Sequence, residues 1–414
     1  MSTKAHRTDD HRATAWLAIL LAVAATPAAA TDCAEPGESG CSAWSLDAAY
    51  TADLWRNASG GLERGNAYLD GLDLTATVDA ERAFGWKGVQ FYGHVQYNNG
   101  AEFSGRRVGD AQAVSNIEGV GTWRLYEFWA DVSLGEGATA QQSLRFGLYD
   151  LNSEFDSIDT AGLFLNASHG IGPEYAQSGL NGPSIFPITS LALRLRREST
   201  RGYWQLALLD AVPGSRSDPA RSGIHLDGAE GALLAAEWGL AHGRWSKLAL
   251  GAWGYTARFD ALAEADPLTG DPIRARGNRG IYALADVAVH ESDTRRVDAF
   301  VRMGIAESRF NGVADYAGAG LVVQGPLRAR PDDQLGIAVA SAGAGADLRR
   351  AGVALGAPLE RRETSVELTY RLAAAEWLTL QPNLQYVSNP GFDPGLRNAW
   401  VMGLRIELAA GWAQ

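Results

Sequence analysis

The segment AWVMGLRIELAAGW (residues 399–412) alternates with a period of two. Trp400, Met402, Leu404, Ile406, Leu408, Ala410 and Trp412 are apolar, while Gly403, Arg405, Glu407 and Gly411 fall between them. Successive side chains of a strand point to opposite faces, so this pattern sets one face in an apolar medium and the other in water. Trp400 and Trp412 bracket the apolar face as an interfacial girdle requires.

The same period recurs upstream. Leu378, Leu380, Pro382, Leu384 and Tyr386 alternate with Thr379, Gln381, Asn383 and Gln385. Pro382 has no N–H for a ladder, so a local distortion is expected there. Thr364, Val366, Leu368, Tyr370 and Leu372 alternate with Glu363, Ser365, Glu367, Thr369 and Arg371. Leu191, Leu193 and Leu195 interleave with Arg194 and Arg196, and Val89, Phe91, Val95 and Tyr97 with Gln90, His94, Gln96 and Asn98. From Ala43 onward there are roughly sixteen such segments of about ten residues, the length that crosses a bilayer as a tilted strand. The intervening faces carry too many arginines and glutamates for a dry double-sheet core, so the inward face reads as wet.

The links give a second line of argument. Those at 100–122, 151–187, 213–228, 260–279 and 342–362 are long. Those at 134–141, 198–201, 241–243, 291–295 and 373–375 are short. Alternation of this kind is expected of an outer-membrane barrel, with loops on one side and turns on the other. The fold class is therefore an all-β, transmembrane antiparallel β-barrel of about 16 strands.

Composition agrees. The 414 residues include 48 Gly and 13 Trp, and no stretch after the first thirty is apolar enough for a membrane helix. The net charge of −12 disfavours a nucleic-acid partner, which needs a basic face. Two cysteines cannot form a Cys₄ zinc site, and the seven histidines lack metal-ligand spacing, so neither metal nor cofactor is expected.

At the N-terminus, Lys4, Arg7 and Arg12 precede the apolar run AWLAILLAVAA (residues 15–25), and Ala28-Ala29-Ala30 follows Pro27. This order is that of a secretory signal peptide spanning 1–30, with a mature chain beginning near Thr31. Residues 31–42 are then a periplasmic segment and 43–414 the barrel. In that oxidising setting Cys33 and Cys41 are expected to pair.

Sixteen strands leave an aqueous channel, where eight would fill themselves with side chains. Passage of small solutes is the expected activity, with selectivity set by a loop folded inward. The candidate is residues 151–187, which combine Glu154, Asp156 and Asp159 with Asn152, Asn166 and Asn181. The loop also carries Leu163-Phe164-Leu165 and Ile185-Phe186, apolar clusters that a solvated loop would not need. Its carboxylates facing Arg194 and Arg196 would set a transverse field. Carboxamides, carboxylates and guanidiniums with an aromatic face suit neutral, hydroxyl-rich sugars.

Residues 50–86 resemble the N-terminal part of the carbohydrate-selective porin OprB family. The blocks VGDAQAVSNIEGVGTWRLYEFW (108–129), LNSEFDSIDTAGLFLNASHGIGPEYA (151–176) and GPSIFPITSLALRLR (182–196) resemble its other stretches in the same order. The resemblance implies a sixteen-stranded outer-membrane barrel passing mono- and oligosaccharides by diffusion. Family motif residues present are Asp110, Gln112, Ser115, Asn116, Glu118, Asn152, Ser153, Glu154, Phe155, Ser168, His169 and Gly170. One departure is that Ala413 and Gln414 follow Trp412, where such barrels end in an aromatic residue. Glu118, Asn152, Glu154, Asp156, His169, Arg194 and Arg196 are the candidate substrate contacts.

The same residues admit other readings. Ser168-His169 suggests a hydrolase pair, but adjacent side chains seldom face each other and no G-x-S-x-G elbow surrounds them. The run from Ser341 to Ala346 reads as a flexible exposed loop. Arg349-Arg350 and Arg361-Arg362 read as solvated charges near anionic lipid heads. A general or anion-preferring porin is the alternative function, and a barrel enzyme or adhesin the alternative of another class. Sugars and outer-membrane lipid are the expected partners, with a monomer or a homotrimer as the working unit.

Overall fold

The computed structural model describes residues 42–413 except 138, 139, 215–222, 225, 227 and 293. The expected signal peptide and the Cys33–Cys41 pair lie outside the described residues.

The first strands are β1 (Trp44–Ser59), β2 (Gly65–Asp79), β3 (Val89–Asn98), β4 (Thr122–Gly137), β5 (Ala140–Tyr149) and β6 (Ser190–Ser199). There follow β7 (Gly202–Asp210), β8 (Ala232–His242), β9 (Trp245–Tyr255), β10 (Phe259–Ala265), β11 (Pro272–Ala275) and β12 (Arg279–Ser292). The last are β13 (Arg295–Ala306), β14 (Val313–Gln324), β15 (Gln334–Ala344), β16 (Arg362–Ala375), β17 (Leu378–Ser388) and β18 (Ala399–Ala413). All but β10 and β11 form one closed antiparallel barrel of sixteen strands in sequence order. The decisive segment supplies β18, which closes the cylinder by pairing with β1 from Ser45↔Ala413 to Ser59↔Trp400. Closure leaves no strand edge, the condition for a sheet to sit in lipid.

The period-two pattern sorts the faces. On β1 and β2, Leu46, Leu54, Tyr68 and Leu74 are exposed on the outer wall, whereas Asp53, Asn57 and Leu69 are buried inside. Aromatic pairs sit on the rims, Tyr386 with Trp400 at 4.8 Å and Tyr97 with Trp123 at 5.1 Å between ring centroids. At Pro382 the β16–β17 ladder runs Thr369↔Asn383 and resumes at Leu372↔Leu380 without a change of register. The proline interrupts the ladder because it cannot donate, and the Thr369 hydroxyl donates to its carbonyl instead.

The sorting of loops has exceptions, among them a six-residue link at 307–312 on the long-loop side and a nine-residue link at 325–333 on the short-turn side. The long-loop side carries a short link at 60–64, and the 256–278 link contains the β10–β11 hairpin. The short-turn side carries a nine-residue link at 80–88 that includes a small helix, α1 (Ala80–Phe84). The run from Ser341 to Ala346 is not an exposed loop. Its first four residues end β15, with Ala342 and Ala344 buried, and Ala346 opens a helix in the following link. Small side chains are needed there because a Cβ on Gly343 would stand 2.1 Å from the Asp315 carboxylate.

The core lies inside the barrel. Residues 99–121 and 150–189 both turn inward from the long-loop side and pack against the lumenal wall. Phe155, Phe164, Leu165 and Tyr175 of the second segment are buried there, and Tyr175, in helix α2 (Pro173–Ala176), stacks face to face on Trp253 at 4.8 Å. The wall makes room with glycine: a Cβ on Gly304 would lie 1.7 Å from Glu174 Oε1.

Candidate pore constriction

The inward segments are held by wall side chains that bond to their backbone. The Glu237 carboxylate accepts from Asp156 N at 2.9 Å, and Asp286 accepts from the Thr160 hydroxyl at 2.7 Å. Glu367 accepts from Leu165 N and Asn166 N at 2.7 and 3.0 Å. Gln381 donates to the Leu163 carbonyl and Lys247 to that of Ser157. Arg302, 1% exposed, donates to the carbonyls of Asp156, Ser168 and Gly170. An irregular backbone has no ladder partners of its own, so at this depth it must be satisfied by side chains. The first segment is held in the same way, with Glu363 accepting from Ala111 N and Gln112 N. Ser115 Oγ donates to Asp53, and Arg405 bridges Asp53 at 2.7 Å and the Asn116 side-chain Oδ1 at 2.8 Å.

The inward face is therefore only partly wet. On β12–β18 it grips loop backbone, whereas on β4–β6 Asp131, Arg145 and Arg196 retain solvent exposure beside residues 152–154. They do so among neighbours such as Arg124, Glu127 and Gln205 that also bond loop backbone. Arg194 lies at the centre of this second region. It donates to Glu154 at 2.7 and 2.9 Å, to Asp131 at 2.8 Å and to Ser143 Oγ at 2.6 Å. Asp131 also accepts from Arg145 at 2.9 Å. The Arg145 guanidinium covers the Trp129 ring at 3.7 Å, and Tyr92 stacks on that ring at 4.9 Å. Arg196 lies over Tyr203 at 4.5 Å, donates to Gln205 at 2.8 Å and pairs with Glu198. On the neighbouring wall His94 meets Asp73 at 2.9 Å.

The candidate contacts fall into two groups. Glu154, Arg194 and Arg196 come together, with side chains 15%, 2% and 22% exposed. The other four are placed elsewhere. Glu118 accepts from Phe103 N and Ser104 N, pinning its own segment, and burial raises its carboxyl above the usual range. Asn152 donates to the carbonyls of Phe155, Asp156 and Gly170, closing the loop on itself. Asp156 is fully buried between Gly172 N and Arg302. His169 is buried between Phe164 and Phe300, and burial, with Arg302 nearby, pushes its pKa down to about 3, so the ring is neutral. Ser168 Oγ points at the Gln112 carbonyl, 3.5 Å away, and is not paired with His169. The sequence reading did not single out Asp131, Arg145 or Trp129. Alternation was their available signal, since Arg145 lies between Leu144 and Phe146.

A closed sixteen-stranded barrel with two inward segments and a charged eyelet defines a porin. The profile of the carbohydrate-selective porin, OprB family, matches residues 63–409. The chain belongs to this family and is a carbohydrate porin of the Gram-negative outer membrane. It is 28% identical over 399 residues to Porin B of Pseudomonas aeruginosa, covering 86% of each chain. It is 23% identical over 411 residues to the putative porin QuiX of Acinetobacter baylyi, covering 87% of this chain and 88% of that one. The high-pH structure of Pseudomonas putida OprB superimposes with a TM-score of 0.78 at 23% identity, over 89% of this chain and 94% of that one. Family and fold point to a channel rather than an enzyme.

Proposed function

We propose that the channel passes neutral mono- and oligosaccharides by diffusion, with Glu154, Arg145, Arg196 and Asp131 as polar contacts at its narrowest part and the buried Arg194 holding Glu154 and Asp131 in place. The observation that carries this reading is the pairing of charges there. Arg194 is matched by Glu154 and Asp131, Arg145 by Asp131, and Arg196 by Glu198. No guanidinium of this group is left without a carboxylate to capture an anion. The same groups present donors and acceptors at fixed spacing, which a sugar hydroxyl satisfies in both roles. Trp129 is covered by Arg145, so a sugar ring slides past a guanidinium plane rather than a bare aromatic face.

The pore lies within one barrel, so a monomer and a homotrimer offer the same path. The placement of Ser168 and His169 supports a passive role without catalysis. The test is planar-bilayer conductance of the purified chain with glucose. Glucose is expected to reduce ion current in a saturable way. Block by simple anions with none by glucose would replace the reading with an anion-preferring porin.

A further inference from the structure

The link at 80–88 is the one short-side connection that carries a helix among the described residues, and its construction is specific. Asp79 caps α1 by accepting from Glu81 N at 2.9 Å and Arg82 N at 3.2 Å, and Gly85 ends it with φ of 77°. Beyond the helix, Trp86 packs edge-on against Phe91 of the lipid-facing wall at 6.3 Å, an anchor at the membrane interface. So held, the link bounds a lumenal cleft of ≈ 670 Å³ at the periplasmic end of the channel. This lies within the ~300–1,000 Å³ span of small-molecule sites. Asp79, Glu81 and Lys87 line one side of the cleft, with Gln90, Ser133, Gln141, Asp131, Arg196 and Glu198 on the wall above.

We propose that this cleft is an exit subsite for a neutral, polyhydroxylated solute, a sugar of one or two rings, on its way from the constriction to the periplasm. The inference rests on the carbohydrate reading and extends it to a second place of binding. Two observations carry it. The side chains of Gln90, Ser133 and Gln141 make no hydrogen bond to the protein among the described residues and are exposed to the cleft, so their donors and acceptors are available. Arg196 joins the two sites, lying 4.0 Å from Glu154 in the eyelet and 2.9 Å from Glu198 in the cleft. A hydroxyl released by the first pair meets the second without crossing bare wall. Four carboxylates (Asp79, Glu81, Asp131, Glu198) against two cations (Lys87, Arg196) give the described lining a formal charge of −2, which excludes an anionic sugar acid as the preferred occupant.

The test uses the full chain in planar bilayers with maltose added to one side at a time. The double variant Gln90→Ala/Gln141→Ala leaves every eyelet residue intact. Its half-blocking maltose concentration from the periplasmic side is expected to rise at least about fivefold, the loss of one or two neutral hydrogen bonds. Sugar-free conductance is expected to stay as in the parent. Gln141→Ala alone is expected to give about a twofold rise, which guards against misfolding of the double variant. Gluconate from the same side is expected to block more weakly than maltose. Unchanged periplasmic-side block in both variants overturns the exit subsite while leaving the carbohydrate reading intact. Absence of maltose block in the parent from either side overturns both.

Discussion

The two halves of the lumenal wall use the same residue types for opposite ends. On β12–β18, Asp286, Arg302, Glu363, Glu367 and Gln381 spend their polar groups on loop backbone and are buried or nearly so. On β3–β7, Asp131, Arg145, Arg194 and Arg196 bond to one another and to Glu154, and all but Arg194 retain contact with solvent. The first set holds the inward loop to the wall, and the second is the set we propose to meet what passes through the channel. A charged residue inside a barrel is thus no sign of a transport role until its partner is known.

The largest effect that tests this division is expected at Arg302. Arg302→Met takes one donor from each of three loop carbonyls and the cationic partner from the Asp156 carboxylate, and removing one partner of a buried pair costs about 3–5 kcal/mol. The loop is expected to detach from the wall, with higher single-channel conductance and weaker block by glucose. Unchanged conductance would show that the clamp is redundant.

Next comes Glu367→Gln, which weakens the acceptor for Leu165 N and Asn166 N. A loss of about 1.5–3 kcal/mol is expected from charge-assisted bonds of this kind, read as faster hydrogen exchange in the loop. On the facing wall, Glu154→Gln is expected to shift the reversal potential toward anion permeation, because Arg194, Arg145 and Arg196 lose a counter-charge. Stability should change by less than about 1 kcal/mol, since the group is partly solvated. A shift of conductance and stability together, without a change in selectivity, would move Glu154 to the clamping set.

The smallest effect is a pH dependence. Burial, reinforced by Asp156, raises the Glu174 carboxyl to about 8, while Arg302 acts in the other direction. A carboxyl raised above its unfolded value stabilises the fold fully below the unfolded pKa, about 4.3, and loses that contribution as pH rises through about 8. Hydrogen exchange around α2 is therefore expected to quicken as pH rises toward about 8, and Glu174→Gln to blunt the change. His169 acts in the reverse sense, its contribution fading as pH falls below about 6.5 toward 3. The two contributions offset each other between about pH 4.3 and 6.5, where the loop should be most rigid.

The barrel was legible because alternation is a local property. Each strand of ten or so residues declares its two faces, and Trp400 and Trp412 mark the two rims. Glu154 with Arg194 and Arg196 was legible as complementary charge in two adjacent blocks. Glu118, Asn152, Asp156 and His169 were not separable from them, since polarity in sequence looks the same whether a group meets solute or a backbone N–H. The inward path of residues 99–121 was hidden for a related reason: its anchors, Asp53, Glu363 and Arg405, lie up to some three hundred residues away along the chain.

By itself, then, the order of residues determined a closed cylinder in a membrane, its family and the kind of cargo, because periodicity, rim aromatics and block motifs are all carried by near neighbours. Only the tertiary arrangement decided which charges clamp and which face the channel. That choice depends on contacts such as Arg302 to Asp156 and Arg194 to Glu154, which exist only once distant strands curve round to meet a loop folded between them.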